Sequence, residues 1–270
     1  MWRGSVALDY SYQQQRTRID RAFAVAPFKV QRPFYPEGDA VCHTVILHTA
    51  GGIVGGDLLD TRIHLQPSSN ALITTASASK LYRSNGQTAR QSIEVKIEAG
   101  ASLEWLPQES IVFDGARFQQ DMKIELAPDA SWLGWEITRF GRSARGERFL
   151  SGEWRSNLEI WREGKPLWID RAFLPGGDAI EGYAGLNGKA IVGTLLYIGK
   201  PVPEIIIEKI RDFSPIGEMG VTRTLGDGIL CRYRGDSTAE VRGWFVAIWH
   251  LLRGEMTGRG SIVPRVWLSW

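Results

Sequence analysis

Ile63–Leu72 reads IHLQPSSNAL, Val95–Leu103 reads VKIEAGASL and Ile124–Leu133 reads IELAPDASWL. Each is a short alternating apolar run, a small polar turn, and a second run opened by alanine. From Leu65 to Ile97 is a step of 32 residues, and from Ile97 to Leu126 a step of 29. A unit that recurs at this interval, half strand and half turn, predicts strands stacked coil upon coil, because each copy buries its apolar side only against the next. The alternative is a sandwich whose hairpins merely share turn chemistry.

The same alternation extends outward on both sides. Val41–Thr49 (VCHTVILHT), Leu58–Leu65 (LLDTRIHL), Gln91–Glu98 (QSIEVKIE), Arg117–Leu126 (RFQQDMKIEL) and Asn157–Arg162 (NLEIWR) are short runs bounded by turn-forming residues. That is the pattern of strands. Helical spacing comes late. In Val202–Phe213 (VPEIIIEKIRDF), Pro203 suits a first helical turn and Ile206, Ile210 and Phe213 share a face. In Ser237–Arg253 (STAEVRGWFVAIWHLLR), Ser237 and Glu240 form a capping-box pair, and Val241, Phe245, Ile248 and Leu252 form an apolar stripe. Ile191–Ile198 reads as a strand, and Gly220–Arg234 as a hairpin about Gly226-Asp227-Gly228. The expected fold is therefore mainly β: a β-helix or solenoid-like body of layered strands with a small α/β portion near the C-terminus that carries two helices. We read the chain as a single domain, with the β body over about 1–189, the α/β unit over about 190–255 and an apolar tail over 256–270. That tail either packs on the body or docks a partner.

Composition narrows the function classes. The 270 residues suffice for a core without staples. A net charge of +2, from 32 basic and 30 acidic residues, gives no dominant footprint for nucleic acid. No apolar run is long enough to span a membrane, and the N-terminus lacks the zones of a signal peptide. With Cys42 and Cys231 alone, no disulfide framework exists, and a cytoplasmic location is expected.

Motifs for chemistry are sparse. His48–Leu59 (HTAGGIVGGDLL) is glycine-rich but matches no phosphate-loop pattern, so it reads as a turn pressed against neighbouring backbone, with Asp57 capping it or facing a cavity. The histidines His43, His48, His64 and His250 form no metal-ligand spacing, and His250 is expected to be packed within its helix. Cys42 and His43, adjacent on a strand, should face opposite ways. Glu104, Glu109, Asp114 and Glu136 lie among bulky apolar residues. A solenoid with inward carboxylates would suit a glycoside hydrolase pairing Glu104 or Glu109 with Glu136, whereas solvated strand faces are the plain alternative. Phe140–Phe149 (FGRSARGERF) is a basic loop in which Arg142 and Arg145 are candidates for an acidic partner surface.

Five motifs taken together carry more. QRPFYPEG (Gln31–Gly38), HTAGGIVGGDLL (His48–Leu59), LEWLPQESIVFDGA (Leu103–Ala116), LGWEITRFGRSARGE (Leu133–Glu147) and GTLLY (Gly193–Tyr197) resemble, in order, the urease accessory protein family called UreD or UreH. Thr74–Arg83 (TTASASKLYR) departs from it, with Ala76 where a glutamine is expected. The resemblance implies a non-enzymatic chaperone with a β-helix-like body and a small helical portion. It implies partners: urease apoprotein, a UreF-type accessory protein and a UreG-type GTPase, with no nucleic acid and no membrane. It further implies no permanent cofactor and a transient passage of nickel through an internal tunnel. By motif position the candidates along that route are Asp57, Thr74, Thr75, Glu104, Glu109 and Glu136. Such a set is chemically apt, since carboxylate and hydroxyl oxygens release a borderline cation that thiolates or clustered imidazoles would retain.

Overall fold

The computed structural model describes residues 1–142, 145–213, 215–224 and 227–267. Its strands are β1 (Arg3–Gln13), β2 (Arg16–Val25), β3 (Phe28–Val30), β4 (Val41–His48), β5 (Leu58–Leu65), β6 (Asn70–Thr75), β7 (Ser79–Leu81), β8 (Ala89–Ile97), β9 (Ser102–Trp105), β10 (Ser110–Val112), β11 (Arg117–Leu126), β12 (Ser131–Phe140), β13 (Glu153–Arg162), β14 (Lys165–Pro175) and β15 (Ile191–Ile198). Helix α1 (Glu204–Asp212), strands β16 (Glu218–Thr224) and β17 (Gly228–Gly235), and helix α2 (Thr238–Thr257) follow.

Two sheets face each other. The first runs β14-β13-β11-β8-β5-β1-β2 and the second β16-β17-β15-β12-β9-β6-β4-β3. From β4 to β13 the main strands alternate between the sheets, and their ladders are parallel: β1, β5, β8, β11 and β13 in one, β4, β6, β9 and β12 in the other. The repeat legible in the sequence is the coil of this solenoid. Leu65 pairs with Ile97, and Ile97 with Leu126. On the next rung Ile63, Val95, Ile124 and Ile160 lie side by side. All four are buried. Each such side chain taken fully from water stabilises the stack by about 1.5–3 kcal/mol. The polar turns stack as well: Ser68 N–H donates to Ala99 O (2.9 Å) and Ser102 Oγ to Asn70 Oδ1 (2.6 Å).

Strands β15, β17 and β16 extend the second sheet directly, with β15 antiparallel to β12, β17 to β15 and β16 to β17. The turn of the β16–β17 hairpin contains Gly226, which lies outside the described residues. The second sheet is apolar on both faces. Cys42, Leu103, Trp132 and Phe140 face the first sheet, whereas Leu72, Leu133, Trp135, Ile137, Tyr197 and Ile229 pack with the two helices. In α2, Ser237 caps the start by accepting from Glu240 N–H (3.2 Å), and Gly258, at φ 66°, ends it in the left-handed conformation. The Glu240 carboxylate does not close the expected box; it accepts from Gly217 N–H (3.1 Å) and Tyr233 OH (2.6 Å). Pro203 sits at the N-cap of α1 instead of inside its first turn. At Gly193 a Cβ would fall 2.6 Å from Val241, so this glycine lets α2 lie close on β15. The tail follows α2 back onto the body as far as Trp267, whose ring packs tilted against Trp135 and edge-on to Trp249; Leu268, Ser269 and Trp270 lie outside the described residues. His250 is exposed, with its ring against Ser261, because its position faces away from the apolar stripe.

Candidate functional site

Two cavities open between the layers. The first, of about 790 Å³, is bordered by the glycine turn after β4, by Thr75–Lys80, by Gln108–Ser110 and by Thr238, Arg242 and Trp267. The second, of about 560 Å³, lies towards Asp170, Leu186, Glu218, Arg232 and Arg234. Trp105, Glu136, Trp154 and Ser156 border both, so these four side chains stand where the cavities meet.

Glu136 is central to that junction. It belongs to the inward-facing set of β12 with Trp132 and Phe140. Its Oε2 accepts from Ser156 Oγ (2.9 Å) and its Oε1 meets the Gln120 amide, both from the first sheet. Among the described residues no ion pair reaches it, and its two hydrogen-bond partners are neutral. Burial pushes its carboxyl above the ordinary carboxylate range against those two hydrogen bonds, and the like charge of Asp170 adds to the rise.

Glu109 borders the first cavity near its mouth, where it meets the Arg242 guanidinium of α2, which also meets Gln108 Oε1. Thr75 lines the same cavity and its hydroxyl accepts from Gln108 N–H (2.9 Å). Thr74 is buried: its hydroxyl donates to Leu106 O (2.6 Å) and accepts from the Trp267 indole (2.9 Å). It holds the wall together and does not line the cavity.

Asp57 borders neither cavity. It is fully buried at the end of the glycine turn, where Oδ2 accepts from Val54 N–H (3.0 Å) and Oδ1 from Trp2 N–H (2.6 Å). This carboxylate ties the turn to the N-terminal strand. The glycines before it are needed for close approach, since a Cβ at Gly52 would lie 2.6 Å from Lys80 O.

Glu104 also faces away from both cavities. Its neighbours on the β9 rung, Leu72 and Leu133, belong to the helix-facing layer. There it joins a buried ionic cluster. Arg253 of α2, only 2% exposed, bonds Glu104 Oε1 at 2.9 Å and Glu37 Oε2 at 2.6 Å. Glu37 Oε1 in turn meets His43 Nε2 at 2.5 Å, and Arg253 donates to Gly260 O at 3.1 Å. Burial acts to raise the Glu37 carboxyl, but the bonds from His43 and Arg253 outweigh it and hold it below the ordinary range. Burial wins at Glu104, whose carboxyl is raised despite Arg253. Its Oε2 and the neighbouring Trp249 indole N–H do not meet with hydrogen-bond geometry, and each is left without a partner. Cys42 and His43 do face opposite ways, Cys42 into the core between the sheets and His43 into this cluster.

Arg142 is less available to a partner than its sequence position suggests. Its guanidinium grips Glu147 at 2.7 and 2.9 Å and lies 4.4 Å over the Phe113 ring. Arg145 is exposed. Ser143 and Ala144 of the same loop lie outside the described residues.

Sequence reasoning missed Glu37, His43, Arg253, Gln108, Gln120, Ser156 and Arg242. For Arg253 a signal existed: it stands one turn beyond Trp249 and beside Leu252, a charge placed on the apolar side of its helix. Among the described residues no group of three or more His, Cys, Asp and Glu is placed to hold a metal ion. The two cysteines are buried and free, and burial pushes the Cys231 thiol up to about 12.

The family model described as UreD urease accessory protein matches residues 3–268. A curated protein from Microcystis aeruginosa, named Urease accessory protein UreD, is 64% identical over the full length of both chains. A protein of the same name from Nostoc sp. is 59% identical, covering 98% of this chain and 96% of its own, and one from Synechocystis sp. is 40% identical, covering 92% and 93%. By motif, coiled architecture and whole-length similarity, the chain belongs to the UreD family of urease accessory proteins.

Proposed function

We propose that the chain is a non-catalytic urease maturation factor of the cytoplasm, which binds urease apoprotein together with UreF-type and UreG-type accessory proteins and assists nickel insertion by letting the ion pass through its β body. The observation that carries this reading is that two cavities adjoin at Glu136, a partly buried carboxylate whose hydrogen-bond partners are neutral and which no ion pair reaches among the described residues. An unpaired buried carboxylate is costly unless water, a proton or a cation accompanies it. Along the same line, Thr75, Glu109, Gln120 and Ser156 offer oxygen atoms, and oxygen donors bind a borderline divalent cation loosely enough to release it. Of the route candidates, Glu136 and Thr75 fit this role; Glu109 borders the same cavity but is held by Arg242, and Asp57, Thr74 and Glu104 serve structure instead.

The competing enzyme reading, a glycoside hydrolase, needs two carboxylates flanking one bond. Glu104 and Glu136 lie on opposite faces of the second sheet, and Glu109 is held by Arg242. Nothing in that geometry favours hydrolysis. Among the described residues no helix is long and apolar enough to cross a membrane.

The direct test is reconstitution. Urease apoprotein and nickel, with UreF-type and UreG-type proteins and GTP, should give active urease only when this chain is added, and the chain should co-elute with the UreF-type protein. Equal activation without the chain would refute the reading.

A further inference from the structure

The chain has four asparagines, Asn70, Asn85, Asn157 and Asn187, and two of them, Asn85 and Asn187, are followed by glycine. In an asparagine–glycine pair the side-chain amide carbon meets the next backbone nitrogen with least hindrance, because glycine has no Cβ to block the approach. The fold treats the two pairs differently. Asn187 is tied at both reacting groups: its Nδ2 donates to Glu218 Oε1 (3.1 Å), and the Gly188 N–H donates to Ile180 O (2.9 Å). Asn85 stands exposed at the bend between β7 and β8, and among the described residues no hydrogen bond holds its side chain. Gly86, also exposed, has φ 122°, and a Cβ there would meet nothing within 4 Å, so the space around it is open. Its N–H reaches only the Ser84 hydroxyl of the same bend (3.1 Å). The other two asparagines lie in strands, before alanine and leucine, and both side chains are bonded: Asn70 Oδ1 accepts from Ser102 Oγ (2.6 Å) and Asn157 Nδ2 donates to Asp121 Oδ1 (2.7 Å).

We propose that Asn85 is a site of spontaneous covalent modification, closing to a succinimide with loss of ammonia and reopening with water to aspartyl and isoaspartyl products, of which the isoaspartyl form loosens its loop. The Gly86 nitrogen, its proton given to solvent base, attacks Asn85 Cγ. The N–Cγ bond forms and the Cγ–Nδ2 bond breaks, and the amide leaves as ammonia with a proton returned from solvent. Water then adds to one of the two ring carbonyls. Breaking N–Cγ restores the normal backbone beside a new carboxylate. Breaking the other ring C–N bond routes the backbone through Cγ and lengthens it by a methylene. One water enters and one ammonia leaves, with nothing oxidised or reduced. The place matters because the loop is interlocked with its neighbours. Arg117 Nη1 donates to Gly86 O (3.0 Å), Ser84 N–H donates to Gly115 O (2.9 Å), and a Cβ at Gly55 in the glycine turn would fall 2.6 Å from Gln87 O. A longer backbone at Asn85 displaces these contacts, whereas the aspartyl product only adds a charge at an exposed position.

The test holds the folded full chain in mildly alkaline buffer, where the backbone nitrogen loses its proton most readily. The tryptic peptides Ser84–Arg90 and Ala172–Lys189, which carry the two pairs, are followed by mass spectrometry. Conversion makes a peptide heavier by about 1 Da, as NH2 gives way to OH. Asn85 should convert at least about tenfold faster than Asn187, the factor that ~1.4 kcal/mol of hydrogen bonding retained at Asn187 produces. In urea the two rates should draw together, because the reacting residues are the same. Asn85→Gln, which would have to close a six-membered ring, should remove the fast conversion. A converted sample should melt below Asn85→Asp, which carries the charge without the longer backbone. The proposal is overturned if Asn187 converts as fast as Asn85 in the folded chain, if Ser84–Arg90 changes only in urea, or if the fast conversion survives Asn85→Gln. Equal melting of the converted sample and Asn85→Asp would overturn the loosening of the loop.

Discussion

Glu104 and Glu136 are partly buried carboxylates on the neighbouring strands β9 and β12 of one sheet, yet the protein handles them in opposite ways. Glu104 faces the helices, where Arg253 reaches it and ties it to Glu37 and His43. Glu136 faces the other sheet, where a serine and a glutamine contact it and space remains around it. A charge that only needs to be tolerated is matched with a fixed opposite charge, as under α2. A carboxylate beside open volume with neutral partners stays available to a mobile cation. The ionic cluster is thus read as architecture and the cavity junction as the working region.

The comparison breaks most visibly at Arg253. Arg253→Met should lower stability by about 3–5 kcal/mol, because it strands two carboxylates in a closed layer. Urea denaturation would measure it. Adding Glu37→Gln and Glu104→Gln should recover most of the loss, since neutral groups in that layer no longer need the guanidinium; no recovery would mean that Arg253 acts through packing instead.

A smaller effect is expected at the junction. Glu136 has its carboxyl raised above the ordinary 4.5 in the fold. Its contribution to stability is therefore fully present below the unfolded value and is lost as pH rises through the raised one. Glu136→Gln cannot lose a proton, so its stability relative to the unmodified chain should increase as pH rises from about 4.5 upward. Parallel melting curves across pH would show it, and a difference that shrinks with rising pH would contradict the picture of a carboxylate without a cation.

The smallest effect on the fold belongs to the basic loop. Arg145→Glu should change stability by no more than about 0.5 kcal/mol, as for most exposed substitutions, while weakening capture by the accessory partners. Arg142→Glu should be the more disruptive of the two, since it removes the Glu147 pair and the contact with Phe113. Pull-down yields unaltered by Arg145→Glu would return that side chain to ordinary solvated surface.

The coil repeat was legible in the sequence because its period is the length of one turn of the solenoid, and Leu65, Ile97 and Leu126 fall side by side as that period requires. The facing of the carboxylates was not. Alternation reveals an inside only where the other face meets water. In β12, SWLGWEITRF, the face towards the first sheet and the face towards the helices are both apolar, so nothing in the run marks Glu136 as inward. In β9 Leu103 packs in the core between the sheets, which turns Glu104 to the helices, but a four-residue strand offers too few positions to establish phase. Asp57 was legible as a turn cap from the glycines before it. The Glu37–His43–Glu104–Arg253 cluster joins residues up to 216 positions apart, and no local pattern encodes such a meeting.

The nickel content of urease matured with a Glu136→Leu chain tests the central claim most directly. The substitution places an apolar side chain where the two cavities adjoin and leaves the Arg253 cluster and the basic loop untouched. With the accessory complex shown by co-elution to assemble normally, the account expects the nickel bound per urease active site to fall well below that obtained with the unmodified chain. Full nickel loading by that assembled variant would contradict passage through the β body.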